Sequence, residues 1–131
     1  EHLRKWIEAF QACDADRVAA CYAKDAVNFQ VAAGEPVVGR EQIAEDTAKF
    51  FTAFPDAWSR VENLLGDGDC AAWEWVGGGT FLGRLGEIEP TGRSFEIRGC
   101  GFFRFRDGLI VYQRGYWDKH SWFTQIGIPL I

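Results

Sequence analysis

Residues 94–118 read SFEIRGCGFFRFRDGLIVYQRGYWD. Two runs rich in β-branched and aromatic residues flank Asp107-Gly108. An Asp-Gly pair between such runs is a strong signal for a two-residue hairpin turn. The stretch therefore reads as two antiparallel strands, Ser94 to Arg106 and Leu109 to Trp117. A tight turn pairs Arg106 with Leu109 and sets the register upstream: Phe105 opposite Ile110, Phe103 opposite Tyr112, Gly101 opposite Arg114 and Gly99 opposite Tyr116. Opposed side chains share a face of a sheet. One face then carries Phe103, Phe105, Ile110, Tyr112, Arg114, Tyr116 and, by parity, Asp118. The same face is empty at Gly99 and Gly101. That is either the floor of a cavity, apolar at the turn and polar towards Asp118, or a place where the sheet curves and a helix packs closely. A bulge between Gly99 and Tyr116 would reverse the parity of everything beyond it.

Upstream the pattern is helical. Leu3, Trp6, Ile7 and Phe10 form one face of a helix ending near Cys13. Asp14 and Asp16 offer caps for a second short helix carrying Val18, Cys21 and Tyr22. Ala26 to Val31 reads as a strand, broken by Gly34-Glu35-Pro36. A third helix starts near Arg40, carries Ile43, Thr47, Phe50 and Phe54 on one face with Phe51 beside them, and ends at Pro55. Then the period becomes two: a strand from Ser59 to Leu65, a turn at residues 66–69, and a longer strand from Cys70 to Leu82. Gly77, Gly78 and Gly79 inside it suggest a bend or bulge. Residues 83–92 form a loop with a turn at Pro90-Thr91-Gly92. After the hairpin, Lys119 to Ile126 is a short helix stopped by Gly127 and Pro129. Helices first and long strands after give an α+β fold, helices gathered on one face of an antiparallel sheet.

The 131 residues make one ordinary domain, spanning 1–131, with 47% apolar and 25% charged residues. The aromatic share of 15% exceeds what a minimal core needs, and aromatics also line apolar ligand pockets. A net charge of -5 repels a phosphate backbone, so a nucleic-acid partner is not expected. No apolar run reaches membrane-spanning length. Cys13, Cys21, Cys70 and Cys100 fit no metal or redox spacing; the first two fall in helices and the others in strands. They read as small buried hydrophobes in a reducing, cytoplasmic setting. His2 and His120 are too far apart, and too poor in carboxylate company, to suggest a metal.

Asp118 is the residue with the sharpest alternatives. Burial among Tyr116, Trp117, Trp122 and Phe123 would raise its pKa and suit it to acid/base work. Placed before Lys119-His120-Ser121, it is equally an N-cap, which lowers the pKa. Asn28 and Gln30 alternate on the first strand and can hold a carbonyl or a water, or simply face solvent. Trp73 and Trp75 share a face as core, interface or ligand platform. Glu74 between them is exposed or paired with Arg98 or Arg104. Arg114 can hold an anionic oxygen, and Tyr112 and Tyr116 can donate from apolar walls, although packing explains each as well.

Four pieces carry a resemblance: Gly39-Arg40-Glu41, Pro90-Thr91-Gly92-Arg93, Phe103-Arg104 with Asp107-Gly108, and Asp118 followed by Gln125-Ile126-Gly127. Together they resemble the SnoaL-like cyclases, in the superfamily of nuclear transport factor two, ketosteroid isomerase and limonene epoxide hydrolase. The resemblance implies a cone-shaped, curved antiparallel sheet around a deep apolar cavity, commonly in a homodimer. It implies Asp118 as the acid/base of an aldol ring closure on an apolar, polyketide-like substrate, with no metal and no cofactor. Asn28, Gln30, Trp73, Trp75, Phe81, Phe103, Tyr112, Arg114 and Tyr116 would line the pocket. The pattern departs from the isomerases, whose three functional positions are best matched by Trp6, Gln30 and Gly101. Phe81 stands where many relatives have a histidine, and Trp73-Glu74-Trp75 replaces two members of the hydrolase set. The expected function is a cofactor-independent cyclase or isomerase. The alternatives are a non-catalytic ligand-binding or dimerisation domain and an epoxide hydrolase-like hydration.

Overall fold

The Asp107-Gly108 turn forms with φ of 54° and 79°, the left-handed pair that a type I′ turn requires. Around it, a computed structural model describes residues 2–129. The helices are α1 (His2–Gln11), α2 (Ala15–Ala19), α3 (Arg40–Ala53) and α4 (Lys119–Ile126), with a 3₁₀ turn at Val31–Ala33. The strands are β1 (Tyr22–Gln30), β2 (Val37–Val38), β3 (Trp58–Asp67), β4 (Cys70–Thr80), β5 (Ser94–Arg106) and β6 (Leu109–Trp117). They form one sheet in the order β2-β1-β6-β5-β4-β3. The α+β reading holds, as do the bounds of β5, β6 and α4. The sheet is not wholly antiparallel, because β1 lies parallel to β6. β1 also begins at Tyr22, where Cys21, Tyr22 and Ala23 are all buried, so burial extends the strand beyond its sequence signal.

The hairpin register begins as expected, with Arg106 opposite Leu109 and Phe105 opposite Ile110. It then shifts by one residue at Val111. Arg104 faces Tyr112, Phe103 faces Gln113, Phe102 faces Arg114, Gly101 faces Gly115 and Gly99 faces Trp117. A bulge places two residues of one strand against one of the other and turns the remainder over. The concave face therefore carries Gln113, Gly115 and Trp117. Tyr112, Arg114 and Tyr116, expected inside, belong to the convex face.

The glycines are close approaches. β4 pairs with β5 without a shift from Cys70–Arg104 to Thr80–Ser94, so the three glycines make no bulge. A Cβ at Gly78 would overlap the Phe95 carbonyl and stand 2.9 Å from Trp58 Nε1. Gly99 and Gly101 do not leave a void. The Trp75 ring occupies the space above Gly99, and the Trp73 indole lies 3.4 Å from where a Gly101 Cβ would be.

Helix and sheet meet through aromatic rings. Trp6 of α1 contacts Trp73 edge-on at 5.5 Å and Phe103 at 5.1 Å. Phe54 stacks on Phe81 at 5.4 Å and meets Phe95 edge-on at 5.2 Å. Ile43, Ile110 and Ile126 complete a core whose large side chains each contribute about 1.5–3 kcal/mol. The cysteines are less uniform than expected. Cys21 is buried, Cys13 and Cys100 are half-buried, and Cys70 is exposed beside the β3–β4 turn. Cys13 and Cys21 also lie just outside the helices, Cys13 with a φ of 54°. No helix among the described residues is long and apolar enough to cross a membrane.

Candidate functional site

The sheet curls over α1, α3 and α4 and leaves a cavity of about 340 Å³. All six tryptophans of the chain line it: Trp6, Trp58, Trp73, Trp75, Trp117 and Trp122. They come from α1, β3, β4, the end of β6 and α4, so several walls offer a flat apolar surface. Such a site suits a flat, largely apolar molecule, and its volume falls at the small end of ligand pockets, about 300–1,000 Å³.

Two hydrogen-bonded chains of neutral groups stand inside. In the first, Trp6 Nε1 donates to the Tyr22 hydroxyl over 3.0 Å. That hydroxyl donates in turn to Gln113 Oε1. Burial pushes the Tyr22 pKa far above its ordinary value, so the phenol stays protonated. Gln113 is 5% exposed and is the one buried polar side chain of the described core. In the second chain, Trp117 Nε1 donates to Gln30 Oε1 over 2.9 Å, and Gln30 Nε2 donates to Asn28 Oδ1 over 2.7 Å. Gly115 makes room for it, since a Cβ there would overlap the Gln30 amide. Trp122 Nε1 and Ser59 Oγ are buried and have no hydrogen-bond partner. The carboxylates of Glu35 and Asp46 are on exposed residues at the rim. Gln42 Nε2 donates to Asp46 over 3.0 Å.

Of the residues proposed from sequence, Asn28, Gln30, Trp73 and Trp75 come together in the cavity. Phe81 and Phe103 belong to the core behind the walls, fully buried against Phe54 and Trp6. Arg114 lies on the convex face, its guanidinium 5.8 Å from the Phe102 and Tyr112 rings and 5.9 Å from that of Tyr116. Its Nε is buried without a partner. The register shift moved this trio away from the cavity. Glu74 is exposed and accepts from Asn63 Nδ2 rather than from an arginine.

Asp118 is an exposed N-cap of α4. Its Oδ1 accepts the Ser121 N–H over 3.0 Å and its Oδ2 accepts the Ser121 hydroxyl over 2.9 Å. The backbone N–H of Ser121, then its hydroxyl, holds the Asp118 pKa below the ordinary carboxylate value. The rise that burial would bring is absent, because the residue is exposed; Asp118 is not among the residues that line the cavity. Its chain neighbour Trp117 and the α4 residue Trp122 do line the cavity. His120 is exposed on α4.

Sequence reasoning passed over Tyr22, Gln113, Trp117 and Trp122. Tyr22 was hidden by a helix reading that ran too far. Gln113 and Trp117 were on the wrong side of the hairpin by one residue. Among the described residues, no group of three or more His, Cys, Asp and Glu side chains is placed to hold a metal ion.

Comparison with known proteins agrees with this geometry. None of the curated proteins compared with the chain matches it. IdmH from Streptomyces antibioticus, a proposed polyketide cyclase, is 28% identical, with a TM-score of 0.79 over 97% of this chain and 96% of that one. A protein of ketosteroid isomerase-like fold from Catenulispora acidiphila DSM 44928, solved with trimethylamine, superposes with a TM-score of 0.84 at 22% identity, over 98% of this chain and 94% of that one. An LEH-like epoxide hydrolase of M. tuberculosis gives 0.74 at 21% identity, over 95% and 86%. These last two share the fold. The family model of the SnoaL-like polyketide cyclases matches residues 1–126. A curved sheet, a closing α4 and a family match over almost the whole length lead to one assignment: the chain belongs to the SnoaL-like polyketide cyclase family.

Proposed function

We propose that this protein is a cofactor-independent enzyme of cyclase or isomerase type, acting on a flat, largely apolar, carbonyl-bearing molecule held in the tryptophan-walled cavity. The observation that carries this reading is the cavity itself: about 340 Å³, six indoles, and neutral hydrogen-bonding groups inside. The indoles exclude water from the reacting part of the ligand and strengthen each polar contact there. The amides of Asn28 and Gln30 polarise or orient an oxygen.

Asp118 is the acid/base of this reading, and its lowered pKa sets the conditions. At neutral pH it is a carboxylate, able to accept a proton but weak as a base. It therefore needs an acidic carbon, such as a methylene between two carbonyls. The proton passes from that carbon to an Asp118 oxygen, and the enolate carbon bonds to a second carbonyl carbon. The oxygen of that carbonyl then takes the proton back. To act, the carboxylate has to leave Ser121 and turn to the rim beside Trp117.

A second reading, binding without turnover, is favoured by the engagement of both Asp118 oxygens with Ser121. Benzoylacetone in deuterated buffer separates the two. In the first reading, the protein speeds exchange of the methylene protons, seen by NMR, and Asp118→Asn removes that acceleration while keeping binding. Quenching of tryptophan fluorescence with no acceleration by the unmodified protein would leave only the second. The convex face, where Phe102 and Tyr116 are 47% and 39% exposed around Arg114, is proposed as the contact with a second copy. Sedimentation velocity of Arg114→Glu tests it, with loss of a dimer expected.

A further inference from the structure

The two chains of neutral groups have a direction, and that direction restricts the ligand. An indole N–H can donate and never accept. Trp6 Nε1 points at the Tyr22 oxygen, so the hydroxyl keeps its own proton to give. The partner on its other side must then be an acceptor, which fixes Gln113 with Oε1 towards Tyr22. Its Nε2 is left without a protein partner among the described residues. The second chain is fixed the same way. Trp117 Nε1 requires Gln30 Oε1 to face it; Gln30 Nε2 then faces Asn28, and Asn28 must offer Oδ1. Asn28 Nδ2 is the free end. Trp122 Nε1, buried and unpartnered, is a third donor in the lining. The amide and phenol oxygens of the lining each already accept one hydrogen bond inside these chains, the Glu35 and Asp46 carboxylates sit on exposed residues, and the Thr47 hydroxyl, which donates to the Ile43 carbonyl, keeps an acceptor lone pair. Ser59 Oγ, buried and unpaired, can serve either way.

We propose that Gln113 and Asn28 are specificity-determining residues that present hydrogen-bond donors alone, so that the cavity selects a ketone or quinone oxygen and discriminates against a hydroxyl at the same position. Tyr22 and Trp117 are the positioning residues that hold the amides in that sense. A ketone oxygen accepts from Gln113 Nε2. A hydroxyl in its place brings a proton that the Gln113 Nε2 end cannot accept, and a buried unmet donor is costly. This inference rests on the proposed binding of a flat carbonyl compound, and deepens it by naming the groups that read the oxygen.

Fluorenone, fluorenol and fluorene share one flat frame and differ only at the oxygen. Their dissociation constants follow from quenching of tryptophan fluorescence. The unmodified protein should hold fluorenone about fivefold or more tightly than fluorenol. Gln113→Leu should bring that ratio near one with fluorene affinity kept. Tyr22→Phe, which keeps the ring and frees the Gln113 amide to turn, should also lower the ratio, again with little change for fluorene. A purely structural role for Tyr22 would move all three affinities together. Equal binding of ketone and alcohol by the unmodified protein, or a ratio surviving both variants, overturns the donor assignment while fluorene binding still supports the cavity reading. Failure of all three to bind overturns both.

Discussion

On the concave side of β5 and β6, Phe103, Gln113, Gly115 and Trp117 are packed under helices and beside other rings. One residue away on each strand, Phe102, Tyr112, Arg114 and Tyr116 stand on the convex side. Both faces are aromatic, and composition does not tell them apart. Their polar groups do. Inside, hydrogen bonds join neutral amides, a phenol and two indoles, which can be buried because the chains leave only their end donors without a protein partner. Outside, a guanidinium lies among three rings, with water available to the rest of it. A neutral, directional interior can recognise an oxygen, whereas a cation between rings makes a sticky surface.

The most severe way to break this comparison is to truncate neighbouring phenylalanines. Phe103 is 2% exposed and Phe102 is 47% exposed. Phe103→Ala should cost about 3–5 kcal/mol in urea unfolding. Phe102→Ala should stay within about 0.5 kcal/mol for the isolated chain. Similar losses at both positions would mean that the faces are not divided as described.

A subtler probe sharpens the inner side alone. The atoms nearest to a methyl at Gly115 all belong to the end of the Gln30 side chain, a flexible group that can move aside. Gly115→Ala should therefore break the Trp117–Gln30 hydrogen bond and cost about 1 kcal/mol. The indole N–H of Trp117 should exchange faster with solvent in NMR. Unfolding of the variant, or unaltered indole exchange, would show that the amide chain is not seated over this glycine.

Most of the architecture was legible because it rests on local signals. Asp107-Gly108 states its own turn type. The periods of three and four at Leu3, Trp6 and Ile7, and Gly127 after Ile126, state helices. The interior of the site was not legible, because one unpaired residue, Val111, inverts the alternation beyond it, and no local signal in Leu109-Ile110-Val111-Tyr112 marks the extra residue. The parallel pairing of β1 with β6 was equally hidden, since it joins segments at opposite ends of the chain. Gly99 and Gly101 were correctly singled out, but an absent side chain does not say whether a ligand or an indole fills the space.

Asp118 gives the smallest effect, and its sign carries the information. Its carboxyl group is held below the ordinary pKa by the Ser121 N–H and hydroxyl. A group whose folded pKa is depressed contributes stability above its unfolded pKa, about 3.9, and loses it as pH falls through the folded value. Asn also caps a helix well, so Asp118→Asn keeps most of the cap and loses only the charge at the helix start. The variant should melt slightly below the parent at neutral pH. The gap should close on acidification below the ordinary carboxylate range, where the parent loses its charge as well. Asp56 and Glu62, whose pKa values are also lowered, titrate in both proteins and cancel in the difference. An Asp118 buried in an apolar pocket would give the reverse sign, because removing its charge would then stabilise the fold at neutral pH. A variant that melts above the parent at neutral pH would thus place this carboxylate in an apolar pocket and not in solvent.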